Sequence, residues 1–214
     1  MNFLRHLDDQ GLLGVNSLAR HTGRLAPPVA GFAKYGVVLF GLLLLAAVFL
    51  ARRDATRTLA AAGWACLAAL LAVPVNQPFV HLFAERRPYL THPHLLVLAS
   101  RSSDFSFPSD HTVMAGAVTA GLLLVSRRLG LAAAVAAVLL AAARVYTAAH
   151  YPWDVLAGLV LGSAVALLGW LLRVVPLTAL TGWRRRQAPS RTVFAEQPAL
   201  ANNPSTRVSA QAHR

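Results

Sequence analysis

Five apolar stretches constrain this chain more than any other feature. Positions 35–51, 58–76, 110–126, 129–149 and 153–175 are each close to the length needed to cross the hydrocarbon core of a bilayer as a helix. The third is the shortest and begins with polar residues, yet Thr112 to Ser126 is uncharged throughout. Short connectors at 52–57 and 127–128 force antiparallel neighbours. The expected architecture is all-α, a polytopic membrane bundle of about five transmembrane helices. Ala132 to Ala137 and the Gly158 and Gly162 pair supply small residues that would let helices approach closely. A 56% hydrophobic content with 13% charged residues and a mean hydropathy of +0.52 excludes a typical soluble domain and an extended disordered chain.

The flanks are different. Before residue 28, Leu4, Leu7, Leu12, Leu13, Val15 and Leu18 alternate with Asp8, Asp9, Arg20 and Arg24, which predicts an amphipathic helix lying on the membrane surface, followed by a turn at Pro27-Pro28. No cleavable signal peptide is expected there. From Arg184 the composition becomes polar and basic, which predicts a flexible tail. The net charge of +12 sits in short clusters between apolar runs and in that tail, a pattern that suits anionic lipid headgroups and not nucleic acid. Cys66 is the single cysteine, so no intramolecular disulfide is possible. Arg52, Arg53, Arg57, Arg127 and Arg128 share a predicted face with Arg173 and Arg184 to Arg186, and arginine excess marks the cytoplasmic side. The C-terminus is therefore expected inside, and the loop 77–109 and the bend near 150 outside.

Three polar clusters fall on that outer face: Glu85-Arg86-Arg87-Pro88, Pro108-Ser109-Asp110-His111, and Arg144-x5-His150-x3-Asp154. An ionisable group near the bilayer centre costs roughly 2.5–3.5 kcal/mol, so such groups usually have a function. Hydrolysis of a phosphate ester or anhydride requires neutralised phosphoryl oxygens, a nucleophile and a proton for the leaving group. Arg87 and Arg144 can donate paired hydrogen bonds to phosphoryl oxygens, with Arg86 a further cation. Ser109 precedes an apolar run and can cap a helix, whose first N–H groups, beside Asp110, then point at an anion. His150 lies four residues before Asp154, with Pro152 favouring a helix start between them. A carboxylate one turn away can take one imidazole proton and turn the other nitrogen's lone pair outward, making His150 a nucleophile. His111 is then free to protonate the departing oxygen and afterwards to activate water.

Taken singly, each residue has a plainer role. His150 and Asp154 could be a capping pair, His111 an interfacial histidine, and Arg86, Arg87 and Arg101 headgroup-facing charges. Their joint placement on one face points to a membrane enzyme acting on a phosphorylated lipid. A transporter using Arg144, His150 and Asp154 as an intramembrane relay would spread them through the depth of its spans, whereas these gather at one end. His81, His92, His94 and Asp104 raise the idea of a metal site, but Thr91-His92-Pro93-His94 has no accompanying cysteine or third-ligand pattern, and no metal is expected.

At these residues the chain resembles the type 2 phosphatidic acid phosphatase (PAP2) superfamily, whose pattern is Lys-x6-Arg-Pro, then Pro-Ser-Gly-His, then Ser-Arg-x5-His-x3-Asp. The matching positions are Arg87-Pro88, Pro108-Ser109 with His111, and Arg144 with His150 and Asp154, over about residues 60–170. The resemblance implies an all-helical membrane bundle, a phosphohistidine mechanism and no cofactor or required metal. With the flanks read above, the expected division is an interfacial segment (1–30), a PAP2-like transmembrane catalytic domain (31–178) and a basic tail (179–214). Three positions depart from the pattern: Val80 stands at the lysine, Asp110 at the glycine and Ala143 at the serine. Arg86 or His81 is the expected replacement for the lysine, and Arg86 or Arg101 the expected partner of the Asp110 carboxylate. The size and layout are most similar to the bacterial undecaprenyl-diphosphate phosphatases of the family. Phosphatidic acid or phosphatidylglycerophosphate phosphatases, or a lipid phosphotransferase, share the same motifs.

Overall fold

Each of the five apolar stretches is helical in the computed structural model, which describes residues 2–52 and 56–187. In chain order the helices are α1 (Asn2–His21), a 3-10 turn (Gly23–Leu25), α2 (Ala26–Tyr35), α3 (Val37–Ala51), α4 (Thr56–Phe83), the short α5 (Pro88–Thr91), α6 (Asp110–Val125), α7 (Arg127–Tyr146) and α8 (Pro152–Gln187). No strand occurs among the described residues. Three of the described segments, on α4, α7 and α8, are long and apolar enough to cross a membrane, and α2 with α3 makes a fourth if their 53° bend is counted within one span.

Several boundaries depart from the sequence reading, each for a local reason. Pro27 and Pro28 open α2 instead of forming a turn, because a proline in the first helical turn removes only an N–H that has no intrahelical partner. The chain turns earlier, at Gly23–Leu25. α4 runs on past Asn76 to Phe83 with Pro74 and Pro78 inside it. Polarity at 76 and 77 resembles the end of a span, but both amides are paired with the start of α6 and the helix continues. α8 reaches Gln187, and the remainder of the expected basic tail lies outside the described residues.

α6 organises the packing. At 16 residues it is about 24 Å long, shorter than the ~30 Å hydrocarbon core. Its buried residues, from Thr112 to Leu122, point to every side, as expected of a helix that is apolar all round. One side meets α3 and α7 through Phe40, Val118, Leu122, Ala133 and Leu140. Another meets α4 and α8 through Trp64, Ala68, Val113, Ala117 and Ala166. Contact with α8 is backbone to backbone: a Cβ at Gly162 would fall on the Val113 carbonyl, one at Gly158 on Thr112, and one at Gly116 on the Leu159 carbonyl. α1 joins the bundle through Leu12, which packs with Ala141, Val145, Tyr151 and Val155. Asn16 of α1 also exchanges two hydrogen bonds with the Leu96 backbone, at 2.8 and 3.1 Å. Leu42, Leu70, Val138, Val160 and Leu168 are exposed on the outside, where a bilayer would cover them. Residues Met1–Val175 form one unit, which holds all of this packing, and a second unit begins at Pro176.

Candidate active site

The antiparallel helices bring the end of α4, the starts of α6 and α8 and the end of α7 to one pole of the bundle, around a cavity of about 790 Å³. His150 lies on its wall, buried, in the link between α7 and α8. The link is a Schellman turn: Ala149 N donates to Arg144 O at 3.1 Å and Ala148 N to Val145 O at 2.9 Å, with Ala148 left-handed at φ 57°. This reversal folds His150 back over Arg144, six positions earlier.

The contacts of His150 determine its tautomer. Nη2 of Arg144 and Nη1 of Arg87 lie 2.9 and 3.3 Å from its Nε2. A guanidinium can only donate, so Nε2 is the acceptor and Nδ1 carries the proton. Nδ1–H faces the Ser106 carbonyl oxygen at 2.8 Å, with Asp154 Oδ2 at 3.4 Å. Burial, then the Arg144 and Arg87 cations, hold the imidazole well below the usual histidine range. His150 is therefore neutral, with its lone pair toward the two arginines. Asp154, expected to receive the imidazole proton directly, is the more distant partner and is also linked to the ring through Ser106. Its buried Oδ2 accepts from the Ser106 hydroxyl and from Tyr151 N at 2.9 Å.

The arginines are anchored by carbonyls. Arg87 donates to Asp104 O (2.9 Å) and Ala149 O (3.2 Å), and Arg144 to Ala33 O of α2 (3.3 Å). Arg86 is not brought to the cavity: it is exposed and does not line the wall. Extended backbone at Arg87 (φ −65°, ψ 150°) sends neighbouring side chains to opposite sides, and Arg87 takes the inward one. Ser109 is the N-cap of α6, but its side chain makes no capping bond. Its buried Oγ has no hydrogen-bond partner, and its backbone N donates to Asp154 O at 3.2 Å. Asp110 and His111 both line the cavity. The Asp110 carboxylate meets neither Arg86 nor Arg101. It accepts from Asn76 Nδ2 at 2.8 Å and Gln77 Nε2 at 3.1 Å, because α4 runs beside the start of α6. Val80 is buried on the wall, next to His81, whose ring meets the edge of Phe105.

Sequence reasoning missed Ser106, Asn76, Gln77 and Lys34. The first three orient motif residues, and Lys34 lines the cavity from α2. None lies at a spacing that would have marked it. Chemically, the arrangement can present the lone pair of a neutral imidazole to an anion that two guanidinium groups would hold, with a second histidine on the same wall.

The sequence pattern of the PAP2 superfamily matches residues 61–176. The chain is 28% identical over 155 residues to undecaprenyl-diphosphatase BcrC of Bacillus subtilis, covering 72% of this chain and 78% of that one. It is 34% identical over 157 residues to decaprenylphosphoryl-5-phosphoribose phosphatase of Mycobacterium tuberculosis, covering 72% and 82%. Its fold is similar to the crystal structure of a transmembrane PAP2 type phosphatidylglycerolphosphate phosphatase from Bacillus subtilis, with a TM-score of 0.56 at 19% identity, over 89% of this chain and 90% of that one.

Proposed function

The chain belongs to the PAP2 superfamily and is a membrane phosphatase, and we propose that it hydrolyses an undecaprenyl-type polyprenyl diphosphate to its monophosphate through a phosphohistidine on His150. The observation that carries this reading is the convergence of Arg87 and Arg144 on Nε2 of a neutral, buried His150. Nε2 attacks the terminal phosphorus, and the P–N bond forms as the bond from that phosphorus to the bridging oxygen breaks. His111, which a bound anion's charge helps to protonate, gives its proton to the leaving polyprenyl monophosphate. The Ser106 carbonyl and Asp154 stabilise the positive charge that the His150 ring acquires. His111 then takes a proton from water as the water oxygen attacks phosphorus, the P–N bond breaks, and orthophosphate leaves.

In this reading residues 31–178 carry the catalysis, Ser109 Oγ and the N–H groups at the start of α6 help hold the phosphoryl oxygens, and the site opens on the extracytoplasmic face with the C-terminus inside. Undecaprenyl diphosphate is the substrate in the name of the Bacillus relative, and recycling of such a carrier lipid for cell-wall synthesis would take place on that face. The higher identity to the mycobacterial relative favours a second reading, a polyprenyl-linked phosphosugar phosphatase. Phosphatidic acid and phosphatidylglycerophosphate are the competing lipids against which it is assayed.

The test is phosphate release by protein purified in detergent, in EDTA, from a polyprenyl diphosphate, a polyprenyl-linked phosphosugar, phosphatidic acid and phosphatidylglycerophosphate. The expected outcome is preference for the diphosphate and loss of release in His150→Ala by at least about a thousandfold. Equal release from wild type and variant would reject His150 as the nucleophile. Preference for another lipid would reject the substrate.

A further inference from the structure

We propose that Lys34 of α2, together with Arg144, forms a second phosphate subsite in the cavity, which takes the lipid-linked phosphate of a diphosphate substrate. The proposal rests on the diphosphate reading above and concerns a residue outside the three motifs and outside the region that matches the family.

Lys34 is the only lysine in a chain with nineteen arginines, and it lines the cavity beside Tyr35. The end of α2 is tied directly to the reacting centre. Arg144 donates through Nη1 to Ala33 O at 3.3 Å and lies with Nη2 2.9 Å from Nε2 of His150. A phosphoryl group at Nε2 is thus bordered by an arginine that also touches the residue preceding Lys34, and lysine's flexible four-carbon stem spans such a gap. Apart from His111 and from His81, whose ring packs against Phe105, the other wall offers no further basic side chain. Val80 is apolar, Arg86 faces away, and Arg87 is held by the Asp104 and Ala149 carbonyls next to His150. Asp110 is engaged by the Asn76 and Gln77 amides, and Lys34 forms no ion pair among the described residues. Its ammonium rests 5.2 Å from the Tyr35 ring centroid, a weak hold that a phosphate would displace. A monophosphate is served by Arg87 and Arg144, whereas a diphosphate brings a second anionic group, and the remaining lysine or arginine of the lining is Lys34.

The test is calorimetric binding of methylenediphosphonate and of orthophosphate to the detergent-purified protein. Wild type is expected to favour the diphosphonate by about tenfold. Lys34→Gln should abolish that preference while holding orthophosphate within about twofold of wild type. Lys34→Arg should retain most of the preference, which separates lost charge from disturbed folding. No preference in wild type, an undiminished preference in Lys34→Gln, or equal loss of both ligands would overturn the subsite. If Lys34→Gln selectively loses diphosphonate but wild type releases no phosphate from a polyprenyl diphosphate, the subsite is supported and only the substrate reading falls.

Discussion

Ser106 holds the His150–Asp154 pair at two points, its carbonyl accepting from Nδ1 of the imidazole and its hydroxyl donating to the carboxylate. Ser106→Ala keeps the carbonyl, and hence the tautomer, but leaves a buried carboxylate short of one donor. A hydrogen bond to a charged group is worth about 1.5–3 kcal/mol, so kcat should fall by at least about tenfold with KM nearly unchanged. A rise in KM at constant kcat, in steady-state assays, would assign Ser106 to binding instead. Glu85, in the loop before Arg87, gives a pH signature. Burial, then the Asp154 and Asp8 carboxylates, push its pKa up from 4.5 to about 7, with Arg5 opposing. A raised carboxylate pKa stabilises the fold fully below the unfolded value, and that contribution is lost as pH rises through the folded one. Glu85→Gln should therefore melt above wild type at pH 8, with the gap narrowing toward pH 4.5. A gap that widens in acid would reverse the sign. Residue types suggested the chemistry of Arg87, Arg144, His111 and His150 in the sequence, and the fold brings these four to one cavity. Residue type did not reveal Ser106, because a serine between two phenylalanines acquires its meaning only when the 44 positions separating it from His150 are closed by folding.

Among the helices, α6 and α8 are the pair on which the site depends, since Ser109, Asp110 and His111 lie at the start of one and Asp154 in the first turn of the other. Their glycines set the spacing. Gly162→Ala would force its Cβ onto the Val113 carbonyl and should cost about 1–3 kcal/mol, read as a lower thermal midpoint in detergent together with reduced activity. Gly63→Ala is the control. No atom lies within 4 Å of a Cβ placed there, so in α4 it should be neutral or stabilising by up to about 1 kcal/mol. Equal melting of the two variants would refute close α6–α8 packing as the determinant. Small residues at 158 and 162 were legible as a possibility, but which helix they meet, and that Gly162 faces bare backbone while Gly158 faces the Thr112 hydroxyl, depends on how the bundle closes. The end of α4 was misjudged because hydropathy assigns polar residues to loops. Asn76 and Gln77 instead sit inside a helix, where Asp110 compensates their burial.

At the scale of the molecule, the polar chemistry is gathered at one pole, with Arg52 at the end of α3 and Arg127 and Arg128 in the first turn of α7 at the opposite one. If the arginine bias sets orientation, a cysteine at Ser103, introduced into a Cys66→Ala background, should react with a membrane-impermeant maleimide on intact cells. One at Arg128 should react only after permeabilisation. The reverse pattern would place the site on the cytoplasmic face and remove the argument for an outward-facing carrier lipid. The all-helical membrane class and the reaction type were determined by the sequence itself, because hydropathy is a local property and guanidinium, imidazole and carboxylate keep their chemistry in any fold. Five spans were expected, and three of the described helices, or four with the bent α2–α3 pair, are long and apolar enough to cross a membrane. Tertiary structure alone decided that Arg87 and not Arg86 faces the cavity, that two α4 amides engage Asp110, and that the end of α2 braces Arg144 across 111 positions. Such pairings are set by the close packing of helices distant in sequence, and no spacing along the chain encodes them.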